Sequence, residues 1–321
     1  MPSVIVLGAN GRFGRAAVDA FGQQGWDVTA LARSWPTPPA TRHVTVDVTD
    51  SAALADACMG HDVIVNAINP PYHHWARVLP AITRAVISAA QASGATVMIP
   101  GNVYTYGSVL PERLCEDTAH VGDTRKGRLR IQMETAYRDS GVRTIVLRGG
   151  DFIEAEKTGA WFDSHMAHKA WEGKFSYPGP RDLPHAWAYL PDMARAMAML
   201  ASRRAQMASF EEFGFEGMTL TGDDLGALVS DAVGRDVLFT GFPWVALRIM
   251  ALWSPLMREV LEMRYLWQRP HRVDGSKLRR MVPEFEPTPA AKAIAQSLAP
   301  YSPARQHADS APRDAVSNTR A

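Results

Sequence analysis

Short apolar runs alternate with helical stretches through the first half of the chain. The runs "VIVLG", "DVTALA", "HVTV", "DVIVNAI", "ATVMI" and "RTIVLR" are rich in β-branched side chains, and the segments between them repeat apolar residues with helical periodicity. That rhythm predicts an α/β fold, with a doubly wound parallel sheet covered by helices on both faces. The run at residues 62–68 is apolar almost throughout, as a central strand buried on both sides requires. Asp50, in "TDSAALADA", stands where it would cap a short helix.

After about residue 152 the rhythm changes. Helical "WFDSHMAHKAWEG" is followed by Pro-rich "YPGPRDLP", helical "PDMARAMAMLASRRA" and a mixture of short strands and helices. We therefore expect a nucleotide-binding domain over residues 1–152 and a smaller substrate-side region over residues 153–300, interleaved with the last sheet elements. Residues 301–321 are polar and rich in Pro and Ala, without an apolar period, and are expected to form a disordered tail. The longest apolar stretch, "FPWVALRIMALWSPLM" from residue 242, is broken by Arg248 and Pro255. It falls short of the roughly 20 apolar residues of a membrane span. It reads as a buried or surface-docking helix.

The first run leads directly into the densest motif, "VIVLGANGRFGRAAVDAFGQQGWDVTALAR". Gly8, Gly11 and Gly14 follow a strand and open a helix, the arrangement of a Rossmann dinucleotide loop. Gly8 permits the tight turn, Gly11 lets a pyrophosphate approach the backbone, and Gly14 allows close packing of helix on strand. The anion would meet unpaired N–H groups and the positive end of the helix dipole. Asn10, Arg12 and Phe13 lie in the same loop. At the end of the second strand "ALARS" offers Arg33 and Ser34 where an acidic residue would select NAD, so a 2′-phosphate is accommodated and NADP is the favoured cofactor, with NAD possible. Arg12 adds to that charge match or is a solvated surface cation.

Charge narrows the partners. The chain has 34 basic and 33 acidic residues and no basic stripe interleaved with aromatics, which leaves a nucleic-acid surface without support. A small-molecule substrate fits better. The two cysteines, Cys58 and Cys115, show neither metal nor redox spacing and read as core thiols in a reducing compartment. A strand beginning at residue 3 leaves no room for a leader, so a cytoplasmic location is expected. The pairs His73–His74 and His165 with His168 lack accompanying carboxylate or Cys ligands, and no metal site is expected from them.

"GANGRFG", "DVTD" at 47, "VNAI" at 65 and "YTYG" at 104 together resemble the short-chain dehydrogenase/reductase superfamily. The nearest branch is the extended and atypical one, which includes nucleotide-sugar epimerases, dehydratases and NmrA-like proteins. The resemblance implies that Asp47 and Val48 contact adenine, and that Asn66, Ala67 and Ile68 line the floor beneath ribose and nicotinamide. It also implies that "LRGGDF", with Gly150, closes over the nicotinamide. In "HAWAYLPDMA" it has Asp192 cap a helix and places His185 and Trp187 near the substrate mouth, although Trp187 also suits the core. A homodimer through helices of the parallel-sheet domain is a family-level expectation.

The family's chemistry uses a Ser or Thr, a Tyr acid/base and a Lys one helical turn after it. Here the Ser position falls on Asn102, the Tyr position on Lys126 and the Lys position on Arg130. Arg130 can hold a ribose or phosphate, and Asn102 can donate to a carbonyl. Lys126 would serve as an acid only if burial or the neighbouring Arg130 loosened its proton. Tyr104 or Tyr106 could supply the phenol from another wall. The competing reading of "TRKGRLR" is a solvated basic turn weakened by Gly127. Two functions follow: an NAD(P)-dependent oxidoreductase or epimerase/dehydratase-like enzyme for a small carbonyl or hydroxyl compound, or a non-catalytic NADP(H)-binding redox sensor, NmrA-like.

Overall fold

The computed structural model describes residues 1–35, 40–156 and 160–303. The first half runs β1 (Ser3–Leu7), α1 (Arg12–Gln23), β2 (Asp27–Ala32), β3 (Arg42–Thr45), α2 (Ser51–Cys58), β4 (Val63–Asn66), α3 (Trp75–Ser93), β5 (Thr96–Asn102), β6 (Arg113–Leu114), α4 (Arg125–Asp139) and β7 (Thr144–Gly149). The second runs β8 (Asp151–Ile153), β9 (Lys174–Tyr177), β10 (His185–Tyr189), α5 (Leu190–Ser202), β11 (Phe210–Gly214), β12 (Met218–Leu220), α6 (Gly222–Val233), β13 (Leu238–Gly241), α7 (Trp244–Met250), α8 (Pro255–Glu262), β14 (Arg272–Val273), α9 (Ser276–Met281) and α10 (Ala290–Leu298).

Seven parallel strands form the central sheet in the order β11-β7-β5-β4-β1-β2-β3. All six apolar runs of the first half become strands of this sheet, and β11 is added to its edge from beyond residue 200. Alternation explains the two layers. Val4 and Val6 of β1 pack with Phe13, Phe21 and Met197 beneath α1 and α5, whereas Ile5 and Leu7 pack with Leu54, Val86 and Tyr137 beneath α2, α3 and α4. Successive side chains of a strand point to opposite faces, so a strand covered on both sides must be apolar at every position. Each such side chain contributes about 1.5–3 kcal/mol on burial. The chain moves outward from β1 to β3 and then returns to β4, so a crevice opens beyond the carboxyl ends of β1 and β4.

A second core lies in the later half, where Trp187, Phe162, Phe175 and Trp267 pack together behind the small sheet β12-β10-β8. Two expectations are corrected here. Asp192 does not cap α5. The helix starts at Leu190 with Pro191 in its first turn, and Asp192 instead accepts from the Thr288 N–H at 2.6 Å and from Thr288 Oγ1 at 2.8 Å, holding the segment before α10. The tail does not begin at residue 301: Tyr301 is buried and donates to Asp163 at 2.6 Å. Residues 304–321 of the expected tail lie outside the described residues.

One buried network joins the sheet to its cover. Arg148 on β7 donates to Glu212 of β11 at 2.7 Å, to Glu134 of α4 at 2.8 Å and to the Asn102 carbonyl of β5 at 2.6 Å. Burial pushes the Glu212 carboxyl up, but Arg148 and His120 outweigh it and hold the group down at about 2. Removing one partner of such a pair leaves buried charge without compensation. Arg148→Met should therefore cost about 3–5 kcal/mol in urea unfolding. A depressed carboxyl contributes stability that is present above the unfolded glutamate value of about 4.3 and lost as pH falls toward its folded value. The urea midpoint should drop from pH of about 5 to about 2, and less steeply in Glu212→Gln. Equal slopes would count against the network.

Candidate active site at the carboxyl edge of the sheet

The glycine loop shows why Gly8 and Gly14 are required. Gly8 adopts φ of +75°, and its N–H donates to the Leu31 carbonyl at 2.9 Å. A Cβ on Gly14 would lie 2.2 Å from the Gly8 carbonyl oxygen and 2.8 Å from Ala9 Cα, both backbone atoms that cannot swing aside. α1 then begins with no side-chain cap and no acidic residue in its first turn, which leaves its N–H donors for an anion. The loop residues, with a left-handed turn and an uncapped helix start, fit a dinucleotide pyrophosphate. Phe13 is buried in the core beneath the loop. Asn10 donates its amide to the Ser34 carbonyl, tying this loop to the next strand's end. Arg12 is exposed and pairs with the buried Glu154 at 3.5 Å.

The other expected cofactor residues stand at the ends of adjacent parallel strands. Arg33 and Ser34 follow β2 and are exposed. Asp47, after β3, accepts from the Thr49 N–H at 2.9 Å and from its hydroxyl at 2.8 Å. These bonds, with Arg33 nearby, hold its carboxyl below the usual range. Val48 beside it is buried. Asn66 ends β4, donates to the Tyr137 hydroxyl at 3.1 Å and accepts from the Ile68 N–H, while Ala67 donates to the Leu7 carbonyl. Gly150 has a different constraint: a Cβ there would lie 2.1 Å from the Ala186 carbonyl oxygen, so the residue lets the chain after β7 pass against β10.

The substrate side assembles around a phenol. Asn102 accepts from the Tyr104 N–H at 3.1 Å and so starts the helical turn Val103–Tyr106, leaving its amide nitrogen as the donating end. Tyr104 and Tyr106 diverge from that turn. The Tyr104 hydroxyl meets the Tyr72 hydroxyl at 3.0 Å, whereas the Tyr106 hydroxyl donates to the Cys115 carbonyl at 3.2 Å and its ring lies beneath Arg148. Burial, with Tyr72 and Asp151 adding to it, raises the Tyr104 phenol well above its ordinary value.

Of the four basic residues in "TRKGRLR", Arg125 and Arg128 are exposed, whereas Lys126 and Arg130 are buried. Lys126 is fully buried and donates to Glu259 at 2.5 Å and Glu262 at 2.6 Å, both on α8. With its ammonium bonded to two carboxylates it is a tie between α4 and α8, which removes it from the candidate acids. Arg130, 7% exposed, has no carboxylate within salt-bridge distance among the described residues. Its guanidinium lies 4.6 Å over the Trp75 ring, donates weakly to Met133 sulfur at 3.8 Å and leaves Nε without a partner. The Nε is thus a buried donor left unsatisfied within the protein.

Sequence reasoning missed Tyr72 and Asp151, both of which follow the carboxyl ends of strands. Asp151 bonds His185 Nε2 at 2.8 Å, and the His185 ring stacks on Trp267 at 4.2 Å. Trp187 is fully buried, and the core reading applies to it. His120, Glu134 and Glu212 also converge, but Arg148 donates to both carboxylates there.

A family model described as NAD(P)H-binding matches residues 8–170, just over half of the 321-residue chain, and the chain belongs to that family. Solved structures agree in fold. A protein of Burkholderia cenocepacia J2315 that carries an epimerase assignment is 18% identical with a TM-score of 0.74, over 95% of this chain and 98% of that one. UDP-glucose 4-epimerase from Brucella ovis, in complex with NAD, is 14% identical with a TM-score of 0.72, over 94% and 98%. UDP-N-acetylglucosamine 4-epimerase from Bacillus cereus is 14% identical with a TM-score of 0.71, over 98% and 99%. A comparison with curated proteins gave no match. Fold and family thus agree with the resemblance to extended short-chain dehydrogenases/reductases. In Gly14→Ala the loop must shift, and dinucleotide affinity should fall at least about tenfold while the folded state persists. Unchanged affinity in a fluorescence titration would refute the loop assignment.

Proposed function

We propose that the protein is an NAD(P)-dependent oxidoreductase of epimerase/dehydratase-like build, with NADP favoured, acting on a small carbonyl or hydroxyl compound. The observation that carries this reading is the Tyr104 phenol. It is buried, bonded to Tyr72, and flanked by the unpaired donor of Arg130 and the Asp151–His185 pair. A bound nicotinamide supplies or accepts the hydride. The protein's own groups manage the oxygen. Asn102 donates its amide to the substrate oxygen, Tyr104 holds the proton that this oxygen takes up, and the Tyr72 hydroxyl can replace that proton. Arg130 holds hydroxyl or anionic groups and stabilises negative charge that develops on the phenol.

A non-catalytic NADP(H)-binding sensor of the NmrA-like kind is the second reading. It is favoured by the lack of a Tyr-x-x-x-Lys pair on this helix and by the engagement of Lys126, at the Tyr position, with Glu259 and Glu262.

Two experiments separate these readings. Titration with NADPH and NADH, followed by energy transfer from tryptophan, should show preference for NADPH, and Arg33→Asp should weaken NADPH binding about tenfold or more. An unchanged preference would remove Arg33 from cofactor selection. Once a carbonyl substrate is found by screening NADPH oxidation, Tyr104→Phe should lower kcat about a hundredfold or more with cofactor affinity unchanged. A sensor would show no turnover in either form.

A further inference from the structure

Six large apolar side chains stand in solvent within the short segment 245–256. Val245 is 71% exposed, Leu252 68% and Trp253 77%, and Ile249, Met250 and Leu256 join them. α7 buries none of its residues, and α8 is inverted: its one buried residue is Glu259, while Leu256 is exposed. The inversion has a cause. Glu259 and Glu262 turn inward onto Lys126 and Arg125, so Leu256 is left on the outer side while Met257, Val260 and Leu261 are only partly buried. Contiguous apolar surface of this kind is uncommon on proteins that contact only water, and it marks an interaction site.

The charges on the patch select the occupant. Residues 242–258 contain no acidic residue, and their two charged side chains, Arg248 and Arg258, are both exposed. A second copy of the same patch would bring these arginines toward their own like with no carboxylate on the patch to receive them. Lipid phosphates would receive them, and Trp253 has the amphipathic ring that lies at headgroup level.

We propose that the α7–α8 segment docks the protein on the surface of an anionic bilayer, inserting Val245, Ile249, Leu252 and Trp253 between headgroups while Arg248 and Arg258 contact lipid phosphate. The docking is peripheral: no helix among the described residues is long and apolar enough to cross a membrane. It also sets the position of the candidate active site. α8 packs against the turn that carries Tyr72, and Lys126 lies 5.4 Å over the Tyr72 ring, so the docked face adjoins the Tyr72–Tyr104 hydroxyl pair of the candidate site.

The test is flotation of the full chain with phosphatidylcholine vesicles, with and without phosphatidylglycerol. The wild type should float with the anionic vesicles, show blue-shifted tryptophan emission and detach as salt rises. Replacing both Leu252 and Trp253 by Ser should weaken binding about tenfold or more. The Arg248→Glu, Arg258→Glu double variant should weaken it by a similar factor while keeping the wild-type circular dichroism spectrum. The proposal is overturned by a folded wild type that floats with neither vesicle, or by equal binding to both vesicle types. A dimer in sedimentation equilibrium that Trp253→Ser dissociates would also overturn it, because the patch would then be a self-interface.

Discussion

A single buried guanidinium orders the site. Arg148 takes its acceptors from β5, α4 and β11, so one side chain fixes three elements relative to β7. At the β5 end it grips the Asn102 carbonyl, and the Asn102 side chain in turn starts the turn that carries Tyr104. At the α4 end it grips Glu134, one helical turn beyond Arg130, and so fixes the helix face that sets Arg130 over Trp75. Tyr104 and Arg130 are therefore positioned by one ion-pair network with both charge signs present.

Much of the sheet was legible because its code is local. Val4 and Val6 enter one core and Ile5 and Leu7 the other, and each run that obeys this pattern became a strand. The glycine loop was legible for an equally local reason, since Gly14 is confined by the Gly8 carbonyl six residues earlier. β11 was not. Its sequence "FEEFG" carries two carboxylates, and Glu212 can be buried there only because Arg148, 64 residues away in the chain, receives it.

The fates of Lys126 and Arg130 show where such reading stops. Spacing placed them on one helical face, and both are buried. Lys126 nevertheless became a tie to α8, because its carboxylate partners come from more than 130 residues downstream. Arg130 met only an aromatic ring and a thioether. Sequence separation also hid the Asp151–His185 bond, across 34 residues, and the capture of Tyr301 by Asp163, across 138, which shortened the expected tail.

The position of the phenol follows from turn geometry. Tyr104 and Tyr106 lie two residues apart in a tight helical turn, where each residue rotates by about 120°, so their side chains must leave on different sides. One side faces the Tyr72 hydroxyl, and the other faces Cys115 and the underside of Arg148. The usual arrangement puts acid and cation together on the α4 helix. Here the helix keeps only the cation, as Arg130, and the phenol stands on the end of β5. A cation on α4 still acts on a phenol in the opposite wall through space, because electrostatic coupling requires proximity and low dielectric, not a shared helix. Loss of the helix tyrosine therefore removes a sequence signature and still leaves a buried phenol, Tyr104, and a buried guanidinium, Arg130, in this part of the fold.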